Sequence, residues 1–291
     1  MQGKTDRATR LIAWNGIQLC IPMEWEARVS GLRHLVFEKD FQPQLQIRWE
    51  KPSQQDPDYL QKRSVHFAEQ MGTIISDKKV PPQFQQIKNI FGRVTCYRNE
   101  SGMLEGGILV CTDHHTLVLF QIFSADPKLL KEVNDCLSEL SCGNHTETMM
   151  SWRIQDFSLT LADSYILKDY TFGAGLTRLS FFKSDLFLQI CKLGPADRRL
   201  DDQSLEKILI TLADTADLEL IPDEGGDSFE GSRTPTISQQ VLFRLRREKP
   251  FIRTKIWHDS ANNRLLAVVL SSNRPILPAT LHEICGQYAI L

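Results

Sequence analysis

The chain has 291 residues, 42% of them hydrophobic and 24% charged, with a formal net charge of −2. This length accommodates two ordinary domains with their own cores, and the composition excludes a disordered or fibrous protein. The charge argues against general attraction to nucleic acid or anionic membranes. Residues 1–10 do not resemble a signal peptide, and no apolar run reaches the roughly 18 residues of a membrane span. We therefore expect a cytoplasmic protein with no membrane partner.

The first half of the chain predicts strands and helices in the order strands, helix, strands, helix. Alternating apolar residues at 17–21 predict a strand that ends at Pro22. A cap followed by proline opens each helix, at Asp56-Pro57 and Asp126-Pro127. The remaining predicted strands cover residues 32–38, 45–50, 92–98, 106–111 and 116–123.

The second half predicts the same order of elements. Strands are predicted over 157–161, 177–182, 186–192, 241–247, 252–258 and 264–271. One helix is expected to open at Asp201-Asp202, and a closing helix carries Leu281 to Tyr288. The acidic, glycine-bearing segment 222–235 is predicted to be a mobile loop.

The two halves also resemble each other residue by residue, at an offset of about 140 that grows to about 148 through loop insertions. Residues 16–25 lie over 156–165, and Leu45-Gln46-Ile47 lies over Leu188-Gln189-Ile190. We therefore predict an α+β protein of two repeated domains, residues 1–143 and 151–291, joined by a linker at 144–150. Short turns between consecutive strands favour mainly antiparallel sheets with flanking helices.

An alternating first strand closed by Pro22, followed by Trp25 and then by this order of elements, resembles the Mog1/PsbP-like family of α/β/α sandwiches. The second half has Ala162 and Tyr165 at the two positions, so the resemblance there rests on strand order. The resemblance implies a protein that lacks an active site and acts through partners. It assigns a role to no residue of this chain.

No pattern in the sequence assigns a catalytic residue, a metal site or a cofactor. Asp113, His114 and His115 stand at a predicted reversal, where neighbouring side chains point to opposite faces, and an exposed turn is favoured over a metal site. The seven cysteines fall mostly in apolar patterns, which indicates reduced thiols packed as small hydrophobes. No glycine-rich phosphate loop is present, which argues against a nucleotide enzyme.

Two groups of residues are candidates for partner binding. Basic side chains concentrate on two predicted neighbouring strands, where Arg244 shares a face with Arg246, and Arg253 with Lys255. Such a patch would suit an acidic partner, whereas the alternative is a solvated face that discourages aggregation. Trp49 and Trp257 end strands beside charged residues and are candidate interface anchors.

The favoured hypothesis is a non-catalytic binding or adaptor protein with a protein partner, using a surface between the repeats or on the basic strands. A small-molecule enzyme with an active site between the domains is the alternative, so catalysis stays an open question. Nucleic acid is disfavoured as a partner, because no aromatic residues interleave with the basic ones. The sequence does not determine the oligomeric state.

Overall fold

The computed structural model describes residues 8–51, 59, 62, 63, 66, 75–77, 87, 93–98, 105–111, 115–124, 126–143, 148–223 and 225–291. The chain divides into two compact units, Met1–Asp156 and Phe157–Leu291, which we call unit 1 and unit 2. The boundary between the units lies after residue 156, C-terminal to the segment 144–150 that was predicted as a linker. Both units are α+β, and their sheets are antiparallel.

Unit 1 contains eleven strands and one helix whose bounds are described, and its described residues 59, 62, 63, 66 and 87 are also helical. The strands are β1 (Thr9–Trp14), β2 (Ile17–Pro22), β3 (Glu26–Gly31), β4 (His34–Lys39), β5 (Gln42–Glu50), β6 (Ile75–Asp77), β7 (Arg93–Arg98), β8 (Glu105–Cys111), β9 (Thr116–Ile122), β10 (Ser141–Cys142) and β11 (Met149–Ile154). Helix α1 (Pro127–Ser138) is capped by the Asp126 side chain, which accepts a hydrogen bond from the Lys128 amide, as the sequence predicts. Most of the helix predicted at 56–72 lies outside the described residues.

Unit 2 contains nine strands and four helices among its described residues. They are β12 (Phe157–Ala162), β13 (Ile166–Gly173), β14 (Leu176–Lys183), β15 (Leu186–Leu193), α2 (Ala196–Asp202), α3 (Leu205–Ala213), β16 (Glu219–Pro222), β17 (Ser228–Arg233), α4 (Ile237–Leu245), β18 (Phe251–Asp259), β19 (Arg264–Ser272), α5 (Pro278–Gly286) and β20 (Tyr288–Ile290). Strand β12 pairs with β20 in antiparallel register.

Each unit contains a seven-stranded sheet, and the two sheets have equivalent strand orders. The order is β3-β4-β5-β9-β8-β7-β6 in unit 1 and β13-β14-β15-β19-β18-β17-β16 in unit 2. The matching sequence segments lie on the third strand of their respective sheets. There Ile47 on β5 pairs with β9, and Ile190 on β15 pairs with β19. After β2 the Trp25 amide donates to Pro22 O at 3.0 Å, and after β12 the Tyr165 amide donates to Ala162 O at 3.0 Å.

Helices lie on both faces of the seven-stranded sheet of unit 2. On one face, α3 packs its apolar stripe on strands β15, β18 and β19, where Leu209 and Ile256 are fully buried. The neighbour of Ile256, Lys255, points to the opposite face because side chains alternate along a strand. There α5 packs on β18 and β19.

Two predictions for unit 2 are wrong in secondary structure. Residues 241–247 form part of helix α4 and its end instead of a strand, and residues 228–233 of the predicted mobile loop form strand β17. Helix α4 is stabilised at its start because the Thr236 amide and hydroxyl both donate to Gln239 Oε1, at 2.9 and 3.1 Å. A Thr-x-x-Gln sequence of this kind is a capping box. Strand β17 depends on Gly231, where an added Cβ would lie 2.9 Å from Thr254 Cγ2 of β18.

Two helix boundaries also differ from the prediction. Asp201 and Asp202 end helix α2, and the next helix begins after Ser204, whose hydroxyl accepts from the Lys207 amide. The closing helix α5 ends at Gly286, so that Tyr288 belongs to strand β20. Among the described residues, no helix is long and apolar enough to cross a membrane.

Candidate functional site

The four basic residues predicted to form one patch lie on two different kinds of element. Arg244 falls in helix α4 and Arg246 directly follows that helix, whereas Arg253 and Lys255 lie on strand β18. The side chain of Arg244 is outside the described part of the structure, and Arg246 is exposed. The strand on which Arg244 and Arg246 were expected to share a face is therefore a helix and the turn after it, and their shared face stays a prediction.

Arg253 and Lys255 share a face as predicted, but their charged groups make contacts within unit 2. Arg253 Nε donates to Ile276 O at 2.6 Å. Lys255 Nζ lies 2.9 Å from Glu230 Oε1, and His282 Nε2 lies 3.0 Å from the same oxygen. Glu230 therefore links strand β17 to β18 and to helix α5, and it compensates the charge of Lys255.

The pKa of Glu230 is lowered by this arrangement. Partial burial of the carboxylate raises its pKa, but the hydrogen bonds and charges of Lys255 and His282 together outweigh burial. A carboxyl pKa that is lower in the folded state stabilises the fold above the unfolded pKa of about 4.3, and this contribution disappears as the pH falls through the folded pKa.

We expect Glu230→Gln to lower the free energy of unfolding by up to about 1 kcal/mol near neutral pH, since such pairs are weak when partly exposed. The deficit relative to the wild type should disappear in acid, below the folded pKa of the carboxyl. Urea unfolding of both proteins at neutral pH and below about pH 3 measures it. An exposed carboxylate of the adjacent strand, removed in Glu219→Gln, is the matched control. An equal deficit at both pH values would contradict the assigned role of Glu230.

The two candidate tryptophans have different environments. Trp49 is only 2% exposed, and its indole donates to Asn15 O at 3.2 Å, so it is part of the core of unit 1 and not of an exposed surface. Trp257 is half-buried on β18, and its ring lies 5.7 Å from that of Tyr288 in an edge-to-face arrangement. Of the predicted anchors, Trp257 alone stays a surface candidate.

Helix α4 carries an exposed apolar surface that the sequence analysis missed. Ile237, Val241 and Leu245 follow one another at a spacing of four residues, which places them on one face of the helix. They are 83%, 53% and 77% exposed, and neighbouring Leu242 is 45% exposed. The signal in the sequence was the same apolar run, which was assigned to a strand because arginines alternate at its end.

A pocket of about 390 Å³ opens on unit 2 beside strand β18. Its lining combines polar and aromatic side chains, and it includes the predicted residues Lys255 and Trp257. The lining residues are Asp223, Gly225, Asp227, Ser228, Lys255, Trp257, His258, Cys285 and Tyr288.

Cysteine chemistry is disfavoured in this pocket by the state of Cys285. Burial raises the pKa of its thiol to about 12, against the opposing effect of Lys255. A nucleophilic cysteine requires a thiolate near neutral pH.

Of the predicted turn at 113–115, only His115 is among the described residues. It adopts a positive φ of 47°.

No protein-family model and no curated protein matches this chain. Among solved structures, the chain has a likeness to the immunity protein TplEi of T6SS from Pseudomonas aeruginosa, solved in complex with an "L" peptide. The sequence identity is 12%, the match covers 92% of this chain and 98% of that chain, and the TM-score is 0.31. A likeness at this level assigns neither a fold family nor a function.

Proposed function

We propose that this chain is a non-catalytic binding protein and that a protein partner docks on the exposed apolar face of helix α4. The observation that carries the proposal is the row formed by Ile237, Val241 and Leu245, with Leu242 beside it. Single exposed apolar side chains are ordinary on protein surfaces, whereas contiguous ones mark interaction sites.

A cation–π contact attaches helix α4 to strand β17 on the side away from this face. Phe243 points to the other side of α4, where the Arg233 guanidinium stacks 4.3 Å from its ring centre. Arg233 also donates to Pro250 O and Lys249 O, in the segment that leads into β18. Arg233 therefore connects helix α4 to the segment that precedes β18.

The residues that follow α4 indicate the chemistry of the partner. Arg246 and Arg247 are exposed at the end of the apolar row. A partner segment with apolar side chains flanked by carboxylates would bury the row and pair with these cations. This retains the acidic partner expected from the sequence, but it places the contact on a helix.

The test replaces two apolar residues of the row by charged ones, in the variant Val241→Glu/Leu245→Glu. We expect at least a tenfold loss of partner capture from the native lysate, because a charge would have to be buried in the interface. Stability should change by less than about 0.5 kcal/mol, because both positions are exposed. Quantitative affinity capture and urea unfolding measure the two effects.

A matched control is Ile166→Glu/Leu277→Glu, which adds the same charges at two other exposed apolar positions of unit 2. This control should capture partners like the wild type. If both variants capture the same proteins in the same amounts as the wild type, the proposal for α4 is wrong.

We further propose that the two units arose by duplication of one ancestral Mog1/PsbP-like domain. Three features support the proposal: the equivalent strand orders of the two sheets, the placement of the matching segments on β5 and β15, and the equivalent turns after β2 and β12.

A further inference from the structure

Basic side chains converge at the end of the seven-stranded sheet of unit 2 where β14 turns into β15. Strands β15, β19 and β18 are neighbours in this sheet, so this turn, the start of β18 and the end of β19 lie together. They carry Lys183, Lys249, Arg253 and Arg274, which we call the turn surface. We propose that the turn surface binds an acidic peptide segment of a partner. It uses no residue of the row on α4, and the proposal does not depend on that row.

Two of these cations meet at Asp185, in the turn between β14 and β15. The Lys249 ammonium donates to Asp185 O at 3.1 Å, and Arg274 Nε lies 3.5 Å from Asp185 Oδ2. The side chain of Arg274 is 85% exposed. Because a guanidinium has five N–H donors, Arg274 has the capacity to bind a second carboxylate supplied by a partner.

Aromatic rings position the two lysines of the turn surface. Lys249 Nζ lies 5.6 Å from the centre of the Phe182 ring, and Lys183 Nζ lies 4.9 Å from the centre of the Tyr165 ring. A cation at this distance is attracted to the face of a ring. Such a contact orients the ammonium group but does not neutralise its charge.

The contacts of the described residues leave the turn surface with an excess of positive charge. Arg253 Nε donates to a backbone oxygen, Ile276 O, at 2.6 Å. Asp185 is the carboxylate paired with Arg274. Glu283 of α5 acts on Tyr165, since burial and then this charge raise the pKa of the Tyr165 hydroxyl. Four cations therefore outnumber these two carboxylates, which favours a partner of negative charge.

The segment that leads to Lys249 adds to this excess. Arg246 and Arg247 are exposed there. The charge of Glu248 acts on the Arg233 guanidinium, which donates to Lys249 O. The positive charge therefore continues from the end of α4 to the turn surface.

The same contacts favour an acidic peptide over a nucleic acid. Single-stranded nucleic acids bind by stacking their bases on open aromatic faces. Here Lys249 and Lys183 cover a face of Phe182 and of Tyr165. The formal net charge of −2 also gives the chain no general attraction to a polyanion. Carboxylates spaced along an extended peptide match the separate cations of the turn surface.

The test titrates the full chain, labelled with ¹⁵N, with a blocked peptide of six glutamates. Amide shifts in nuclear magnetic resonance spectra locate the contact. A blocked peptide of six glutamines has the same backbone and no charge. Single-stranded hexathymidylate tests whether the surface prefers a nucleic acid.

We expect hexaglutamate to shift the amides of segments 183–186, 249–253 and 272–276 to saturation, and hexaglutamine to give no saturable shift. The variant Lys249→Gln/Arg274→Gln should weaken binding about tenfold, because two contacts between opposite charges are lost. Its matched control, Arg198→Gln/Lys207→Gln, removes the same two charges at exposed positions of α2 and α3 and should bind like the wild type. Unchanged signals outside the three segments show that each variant is folded.

Four results would overturn the proposal. They are shifts located elsewhere on the chain, equal binding of hexaglutamine, undiminished binding by the Lys249→Gln/Arg274→Gln variant, and tighter binding of hexathymidylate than of hexaglutamate. None of these measurements involves the apolar row, so the turn surface and the surface on α4 succeed or fail separately.

Discussion

Trp14→Ala should lower the free energy of unfolding by about 3–5 kcal/mol, because truncation of a fully buried aromatic side chain removes its packing and leaves a cavity. The Trp14 ring is completely buried in unit 1 and packs edge to face against Trp152 at 5.4 Å. Its indole also donates to Gly31 O at 3.3 Å, a bond that alanine cannot replace. Urea unfolding followed by circular dichroism measures the change.

Phe41→Ala is the matched control for this truncation. Phe41 is 88% exposed at the turn between β4 and β5, so removal of its ring should change stability by less than about 0.5 kcal/mol. Equal losses in the two variants would mean that Trp14 is not part of a packed core.

Leu209→Ala should lower the free energy of unfolding by about 2–5 kcal/mol, the range for a leucine truncated in a packed core. Leu209 is fully buried on α3, in the cluster that joins this helix to strands β15, β18 and β19. The cavity would weaken the contact of the helix with the sheet. Hydrogen exchange read by mass spectrometry should show faster exchange in α3 and in the strands beneath it.

Leu277→Ala makes the same chemical change at an exposed position of unit 2 and should change stability little. If Leu209→Ala leaves both the unfolding free energy and the exchange of α3 unchanged, the assigned core of unit 2 is wrong.

Local sequence patterns predicted the elements whose apolar period was regular. The alternation at 17–21 became β2, and Asp126-Pro127 opened α1. These signals are local, because a strand alternates every second residue and a cap acts on the amides two or three residues later. The prediction of antiparallel sheets with helices followed from such signals and from short turns.

Residues 237–247 show where a local pattern was misleading. Arginines at alternate positions suggested a strand with a charged face, but the capping box at Thr236 and Gln239 favours a helix. The error displaced Arg244 and Arg246 from the strand where a basic patch was expected. The error also concealed the apolar row. On a helix, residues four apart share a face, whereas on a strand the residue midway between them would lie on that face as well.

The sequence by itself determined the class of the fold and the internal resemblance of the two halves. It also identified Trp257 as a candidate interface anchor. These features depend on periodicity, on turn residues and on comparison of one segment with another. Only the tertiary structure decided that Trp49 is buried, that Lys255 is compensated by Glu230, and that Asp227 and Trp257 line one pocket. The physical reason is that burial, charge compensation and pocket shape arise between residues far apart in the chain, which the pairing of strands and the packing of helices bring together.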